Sequence, residues 1–180
     1  MCGINGVYQY HQLDADLDKV HKMNEVTNSR GPDFNNIYYD NEVIFGHNRL
    51  AIIDPNELSN QPFISNDGNI VLTYNGELYN FLELKNKLSK TYDFKTASDT
   101  EVIIAAYLKW GIKMLDYFNG MFAFALWDKN INHFYLCRDR LGIKPLYYIE
   151  HQKSVVFSSS IKAINSYLEN KLQIYKNELF

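Results

Sequence analysis

The apolar runs of this chain arrive in groups: strand-like runs fall in hairpin-like pairs, and helical stripes lie between the groups instead of following each strand. Strict βαβ alternation is therefore excluded, and the pattern predicts a layered α+β domain. The strand-like runs are Gly3 to Tyr10, Ile37 to Tyr39, Val43 to Ile53, Ile70 to Tyr74, Met121 to Trp127, His133 to Arg138, Leu146 to Ile149 and Val155 to Ser158. Helical spacing covers Asp14 to Asn28, with Leu13, Leu17, Val20, Met23 and Val26 as its apolar stripe. It returns at Leu78, Leu82, Leu84 and Leu88, at Val102 to Trp110, in a short turn near Ile112 to Phe118, and at Ser159 to Leu168.

Local signals punctuate this order. Arg30-Gly31-Pro32-Asp33 reads as a turn, because proline fixes φ and the adjacent glycine is free to adapt. Asp54 to Asp67 reads as loop. Asn75-Gly76 breaks the strand that starts at Ile70 and joins it to a helix. Ser98-Asp99-Thr100-Glu101 is an S-x-x-E capping box, in which Ser98 accepts from an early amide and Glu101 reaches back to the cap.

With 180 residues and 46% hydrophobic composition, one globular core is the expectation, and neither repeats nor a linker divide it. The balance of 18 basic against 21 acidic residues, without like-charge blocks, argues against a nucleic-acid partner. No apolar run approaches the ~20 residues a bilayer requires, and Met-Cys-Gly-Ile-Asn-Gly lacks the basic and greasy regions of an export signal. Two cysteines, Cys2 and Cys137, could form at most one bridge, so a soluble protein of the reducing cytoplasm is expected.

Four positions could carry chemistry. Removal of Met1 would leave Cys2 with a thiol beside its own α-amine, whose reference pKa values of about 8.5 and 7.7–8.0 make proton transfer between them cheap. Position alone favours a small buried cysteine, as it does for Cys137. Asn75-Gly76 is either a plain turn or, with a helix following, a pair of donors aimed at one spot, as in an oxyanion hole. Asp99, inside the helix capped by Ser98, is either helix electrostatics or a ligand contact. Arg49 stands in a strongly apolar run, where an unpaired guanidinium is expensive to bury. It calls for an anion, either a structural carboxylate or the carboxylate of a ligand. The five histidines show no metal-ligand spacing, and no phosphate-binding loop or hydrolase elbow is present, so neither a metal site nor an ATP site is expected.

Taken together, Met-Cys-Gly-Ile, Arg30-Gly31-Pro32-Asp33, His47-Asn48-Arg49-Leu50, Asn75-Gly76-Glu77-Leu78-Tyr79-Asn80 and Ser98-Asp99-Thr100-Glu101 resemble, in order and spacing, the class II glutamine amidotransferase domain. Gly120 to Ala125, Arg138 to Tyr148 and Ser158 to Ala163 resemble the glutamine-hydrolysing asparagine synthetase branch. The resemblance covers essentially the whole chain. It implies an N-terminal-nucleophile hydrolase fold, a four-layer αββα sandwich of two antiparallel sheets. By position it makes Cys2 the nucleophile, Asn75 and Gly76 the oxyanion donors, Arg49 the grip on the α-carboxylate of glutamine, and Asp99 the holder of its α-ammonium. It makes Glu77 a further substrate contact and sets the strand Leu50 to Ile53, including Leu50, Ile52 and Ile53, beside the bound amino acid. The free amino acid has one anion, one cation and one amide, and these groups answer each in turn.

The resemblance implies L-glutamine as substrate, an ammonia-accepting synthetase domain or subunit as partner, and allows a homodimer. No cofactor is expected in residues 1–180; ATP and magnesium belong to the C-terminal synthetase domain of relatives, whose Ser-Gly-Gly-x-Asp-Ser loop is absent here. Two positions depart from the family pattern, Ser29 for histidine and Ser160 for glutamate. They are the support for an alternative reading as a non-catalytic interaction or glutamine-sensing module with the same fold.

Overall fold

The structure is a computed structural model and describes residues 1–9 and 17–168; Tyr10, Leu13 and the start of the first expected helix lie outside them. Among the described residues, nine strands form two antiparallel sheets. Strands β1 (Gly3–Gln9), β2 (Phe34–Tyr39), β3 (Val43–Arg49), β8 (Tyr147–His151) and β9 (Ser154–Ser158) make one, in the order β2-β3-β1-β9-β8. Strands β4 (Phe63–Ile64), β5 (Ile70–Leu78), β6 (Gly120–Asp128) and β7 (His133–Arg138) make the other, in chain order. Helices α1 (Leu17–Thr27) and α4 (Ile161–Leu168) pack together on the first sheet, and α2 (Phe81–Leu88) and α3 (Asp99–Trp110) pack together beside the second.

Strand alternation builds three apolar cores from these four layers. Ile4, Val43, Phe45 and Phe157 of the first sheet meet Val71, Ala123, Ala125 and Trp127 of the second, forming the middle core. Their neighbours Val7, Ile44 and Val156 face α1 and α4. Ile70, Leu72, Phe124 and Leu126 face α2 and α3. Strands buried on both faces read as continuous apolar runs, which is why they were legible as strands. The expected αββα sandwich is the architecture found.

Helix α1 is not held by a purely apolar stripe. Val20 and Met23 are buried, but Val26 is 41% exposed and Asn24 and Thr27 turn inward instead. The Asn5 amide donates to Asn24 Oδ1 at 2.8 Å and to Thr27 Oγ1 at 2.7 Å, and Asn48 donates to the Asn24 carbonyl at 2.9 Å. Ser158 Oγ closes the network on Asn5 Oδ1 at 2.6 Å. Gly46 makes the approach feasible, since a Cβ there would lie 2.3 Å from Asn24 Oδ1. Buried polar groups must be paired, so this network fixes the helix over β1 and β3 in one register.

Other expectations are corrected. Strand β3 ends at Arg49 and does not continue to Ile53. Strand β5 runs through Asn75-Gly76 to Leu78, because both residues pair with β6, Asn75 opposite Ala123 and Gly76 opposite Phe122. Leu78 therefore belongs to the strand and Leu82 is exposed, while Leu84 and Leu88 bury α2. The Ser98 cap is present, with Oγ accepting from Thr100 N at 2.9 Å. Glu101 reaches past the cap and takes the Thr96 amide and hydroxyl, each at 2.7 Å. The segment read as loop from Asp54 to Asp67 carries a short 3-10 turn at Glu57–Ser59 as well as β4.

Candidate active site

Antiparallel pairing sets Gly3 opposite Asn48, so Cys2 emerges from the end of β1 beside the point where β3 gives out at Arg49. There the sulfur of Cys2 meets the Leu50 peptide, 3.4 Å from its nitrogen and 3.7 Å from its carbonyl oxygen. Burial pushes the Cys2 thiol upward, opposed by the Leu50 amide, the nearby terminal amine and Arg49. The turn Arg30-Gly31-Pro32-Asp33 clamps this junction. Arg30 Nε donates to the Cys2 carbonyl at 3.1 Å, and Asp33 accepts from Ala51 N at 2.8 Å while donating its own N–H to the Arg49 carbonyl at 3.0 Å. Gly31 is required for contact, because a Cβ would lie 2.3 Å from the Asn48 carbonyl oxygen.

Past Arg49 the chain curls around its own guanidinium. Nη1 donates to the Asn56 carbonyl at 2.9 Å and to Asn60 Oδ1 at 2.7 Å, and Nη2 donates to the carbonyl of Asp54, which sits at φ 48°. All three partners are neutral oxygens. The Asp54 carboxylate is taken by Ser59 Oγ and Ala97 N, so among the described residues no carboxylate pairs with Arg49. Of the two partners the sequence leaves open, a structural carboxylate is thus not found among the described residues, and the cation, with 6% of its surface exposed, faces a cavity. This curl is also why Leu50 to Ile53 is not strand: Leu50 turns to the sulfur and Ala51 to Asp33, leaving Ile52 74% exposed.

Strand β5 supplies the opposite wall. Its odd-numbered residues Val71 and Thr73 face the first sheet, Asn75 lines the same cavity as Cys2, and the Asn75 Nδ2 is buried without a hydrogen-bond partner. Its even-numbered residues face the helices, where the Tyr74 hydroxyl donates to Asp99 Oδ2 at 2.7 Å. Leu78 N adds a second bond to the same oxygen at 3.1 Å. Burial raises Asp99, and these two donors oppose the shift. Below the site His47, fully buried, contacts the Tyr74 carbonyl through Nε2 at 3.1 Å. A carbonyl can only accept, so Nε2 carries the proton and Nδ1 is a buried lone pair without a partner. Burial lowers its pKa to about 3, keeping the imidazole neutral.

These walls enclose a cavity of about 210 Å3. Cys2, Arg49, Leu50, Ile52, Ile53, Asn75, Gly76, Glu77 and Asp99 all line it, with Glu77 exposed at the rim. Every residue that the resemblance placed in the site lines this cavity, whereas Cys137 packs against the helix-side core. A family model described as a glutamine amidotransferase domain matches residues 1–180. The chain belongs to this family.

Relatives of the amidotransferase domain include asparagine synthetase (glutamine-hydrolyzing) 3 of Bacillus subtilis, 37% identical over 183 residues that cover 99% of this chain and 30% of that protein. Asparagine synthetase B (glutamine-hydrolyzing) of Escherichia coli is 40% identical over 167 residues, covering 91% of this chain and 30% of that protein. The chain thus spans about 30% of the length of the curated relatives it matches. Among solved structures, glutamine phosphoribosylpyrophosphate amidotransferase from B. subtilis, complexed with ADP and GMP, superposes with a TM-score of 0.75 at 21% identity, over 92% of this chain and 43% of that one. At that identity the likeness is one of fold.

The amidotransferase cavity also has walls that sequence reasoning missed: Met1, Ser59, Gln61, Tyr74, Ser98, Thr100, Met121 and Lys144. Tyr74 carried a usable signal, since its strand alternation with Gly76 opposes it to the capped helix. Gln61 and Lys144 carried none, being delivered by loops. Among the described residues no group of three or more His, Cys, Asp or Glu side chains is placed to hold a metal ion, and no helix is long and apolar enough to cross a membrane.

Proposed function

We propose that this domain hydrolyses L-glutamine to glutamate and ammonia, with Cys2 as nucleophile once Met1 has been removed. The observation that carries the reading is the unpartnered Asn75 amide, buried in the same cavity as the Cys2 sulfur. A buried donor without an acceptor costs about 1–3 kcal/mol, which a transition-state oxyanion would repay. Arg49, lacking an anion among the described residues, takes the α-carboxylate, and Asp99 takes the α-ammonium. Glu77 at the rim and the Leu50 to Ile53 backbone complete the contacts. Asparagine, one methylene shorter, would leave its amide carbon short of the sulfur.

Among the described residues no imidazole or carboxylate hydrogen-bonds the sulfur, so the base in this proposal is the α-amine freed by removal of Met1. It takes the thiol proton as sulfur attacks the amide carbon. The resulting oxyanion is received by the Asn75 amide and the Gly76 N–H. Collapse breaks the C–N bond, the amine returns the proton to the departing nitrogen, and ammonia leaves. Water then adds to the glutamyl thioester, giving glutamate and the free thiol. No cofactor enters these steps.

The relatives' names support an asparagine-synthetase-type partner domain or subunit as the receiver of ammonia, with ATP and magnesium confined to it. Two free cysteines fit a reducing, cytoplasmic setting, and a homodimer is compatible with the fold.

The test is glutaminase activity of the Met1-free protein, confirmed by mass, together with labelling by a glutamine-like electrophile. Glutamate and ammonia in equal amounts, and label on Cys2, are expected. If Cys2→Ala releases glutamate at the unaltered rate, Cys2 is not the nucleophile and the proposal fails; if the Met1-free protein releases none and Cys2 stays unlabelled, the non-catalytic module stands.

A further inference from the structure

Tyr74 ties the two ends of the cavity together. Its ring lies along the helix-facing side of β5 and crosses Gly76, where an added Cβ would come within 2.5 Å of the ring carbon Cε2. Gly76 is therefore demanded by the tyrosine beside it, independently of any ligand. The Tyr74 hydroxyl reaches Asp99 Oδ2, and both residues are almost fully buried. The peptide groups of Tyr74 are pinned as well. Its N–H donates to Gln61 Oε1 at 2.7 Å and its carbonyl accepts from His47 Nε2 at 3.1 Å. Gln61 Nε2 donates in turn to Thr100 Oγ1 at 3.4 Å, next to Asp99. The circuit Tyr74–Gln61–Thr100–Asp99–Tyr74 is closed by hydrogen bonds and one peptide link. Asn75, one residue on, points its unpartnered amide to the opposite face of the strand.

We propose that Tyr74 is a positioning residue that fixes the Asp99 carboxylate at a set separation from Asn75, and so selects an amino acid whose free ammonium and side-chain amide lie that far apart. The proposal rests on the reading of Asp99 as the ammonium acceptor. A buried carboxylate must stay ionised to hold a cation, and burial works against that. The phenolic donor favours the ionised form and leaves the carboxylate no freedom to swing, because the ring is trapped between Gly76 and the helix layer.

The experiment compares wild type, Tyr74→Phe and Asp99→Asn in Met1-free form. Substrates are glutamine, asparagine and the glutamine analogue lacking the α-amine. A hydrogen bond to a charged group is lost in Tyr74→Phe, so KM for glutamine is expected to rise about tenfold while kcat stays within about threefold. Discrimination against the deaminated analogue shrinks by the same factor. Loss of the donor raises the Asp99 pKa further, and the acid limb of kcat/KM moves to higher pH. A variant that melts earlier but keeps KM, discrimination and acid limb overturns the proposal. If Asp99→Asn leaves KM unchanged, the ammonium assignment itself falls, and the proposal with it. Should Tyr74→Phe fail to fold, 3-fluorotyrosine at position 74 keeps the ring and strengthens the donor. The acid limb then moves to lower pH, and an unmoved limb overturns the proposal.

Discussion

The Cys2 sulfur and the Leu50 peptide face each other where β1 begins and β3 ends, with Sγ 3.4 Å from the Leu50 nitrogen. A backbone contact of this kind orients a thiol without titrating. Among the described residues no side-chain base hydrogen-bonds the sulfur, and the proposed hydrolysis therefore draws on the terminal amine.

Removal of Met1 is thus expected to change the chemistry of Cys2 more than any side-chain substitution around it. Burial raises the thiol, so in the Met1-retaining chain alkylation by iodoacetamide should inflect above the ordinary thiol range. An ammonium on the same residue favours the thiolate, and the processed protein should inflect at lower pH. Rate against pH for the two forms, separated by mass, checks this.

Asn75→Ala is expected to lower kcat on the order of 10²–10³-fold with KM little altered. Its melting temperature should not fall, because the Asn75 amide has no partner to lose. Asn5→Ala is the contrast: it removes bonds to Asn24, Thr27 and Ser158. About 3 kcal/mol of stability should go with them, roughly 10 °C in melting temperature.

Arg49→Lys keeps the charge and loses the fork. Three oxygens on Asp54, Asn56 and Asn60 cannot be matched by one ammonium in the same geometry. The 50–60 curl should loosen and KM for glutamine rise about 10- to 100-fold, at the 1.5–3 kcal/mol scale of charged hydrogen bonds. Steady-state kinetics in parallel with limited proteolysis of the curl would show both.

His47 predicts an acid-side loss of stability. Its folded pKa of about 3 lies below its ordinary value of 6.5, so between these limits the unfolded chain binds the extra proton. Its contribution is complete above pH 6.5 and declines at up to about 1.4 kcal/mol per pH unit as pH falls toward 3. Asp99, raised by burial, has the opposite sign, and the lowered Asp54 and Asp139 act only below the ordinary carboxylate range. Urea midpoints from pH 7 to 4, in wild type and His47→Gln, should differ in slope.

Residues that alternate between two buried faces were readable as strands, and β7 was placed at His133 to Arg138 from its pattern alone. The Ser98 cap followed from its hydroxyl three residues before Glu101. Hydrophobicity misled where polar groups build the interior: Val26 was expected inside, and the Asn5–Asn24–Thr27 network took its place. The Asn75-Gly76 pair favours a hairpin locally, but pairing with Ala123 and Phe122 overrides that preference. At the site, the motifs located the lining residues, whereas the neutral oxygens around Arg49 depend on how one loop curls. No periodicity encodes that curl.

Because Tyr74 and Asn75 look out from opposite sides of one ribbon, β5 tolerates no change in length. An inserted or deleted codon between residues 70 and 74 would invert both at once, dropping a phenol into the cleft and an amide into the grease beneath α3. Kindred sequences should therefore accumulate their insertions at the hairpin tips around 65–69 and 129–132 and keep this stretch uninterrupted.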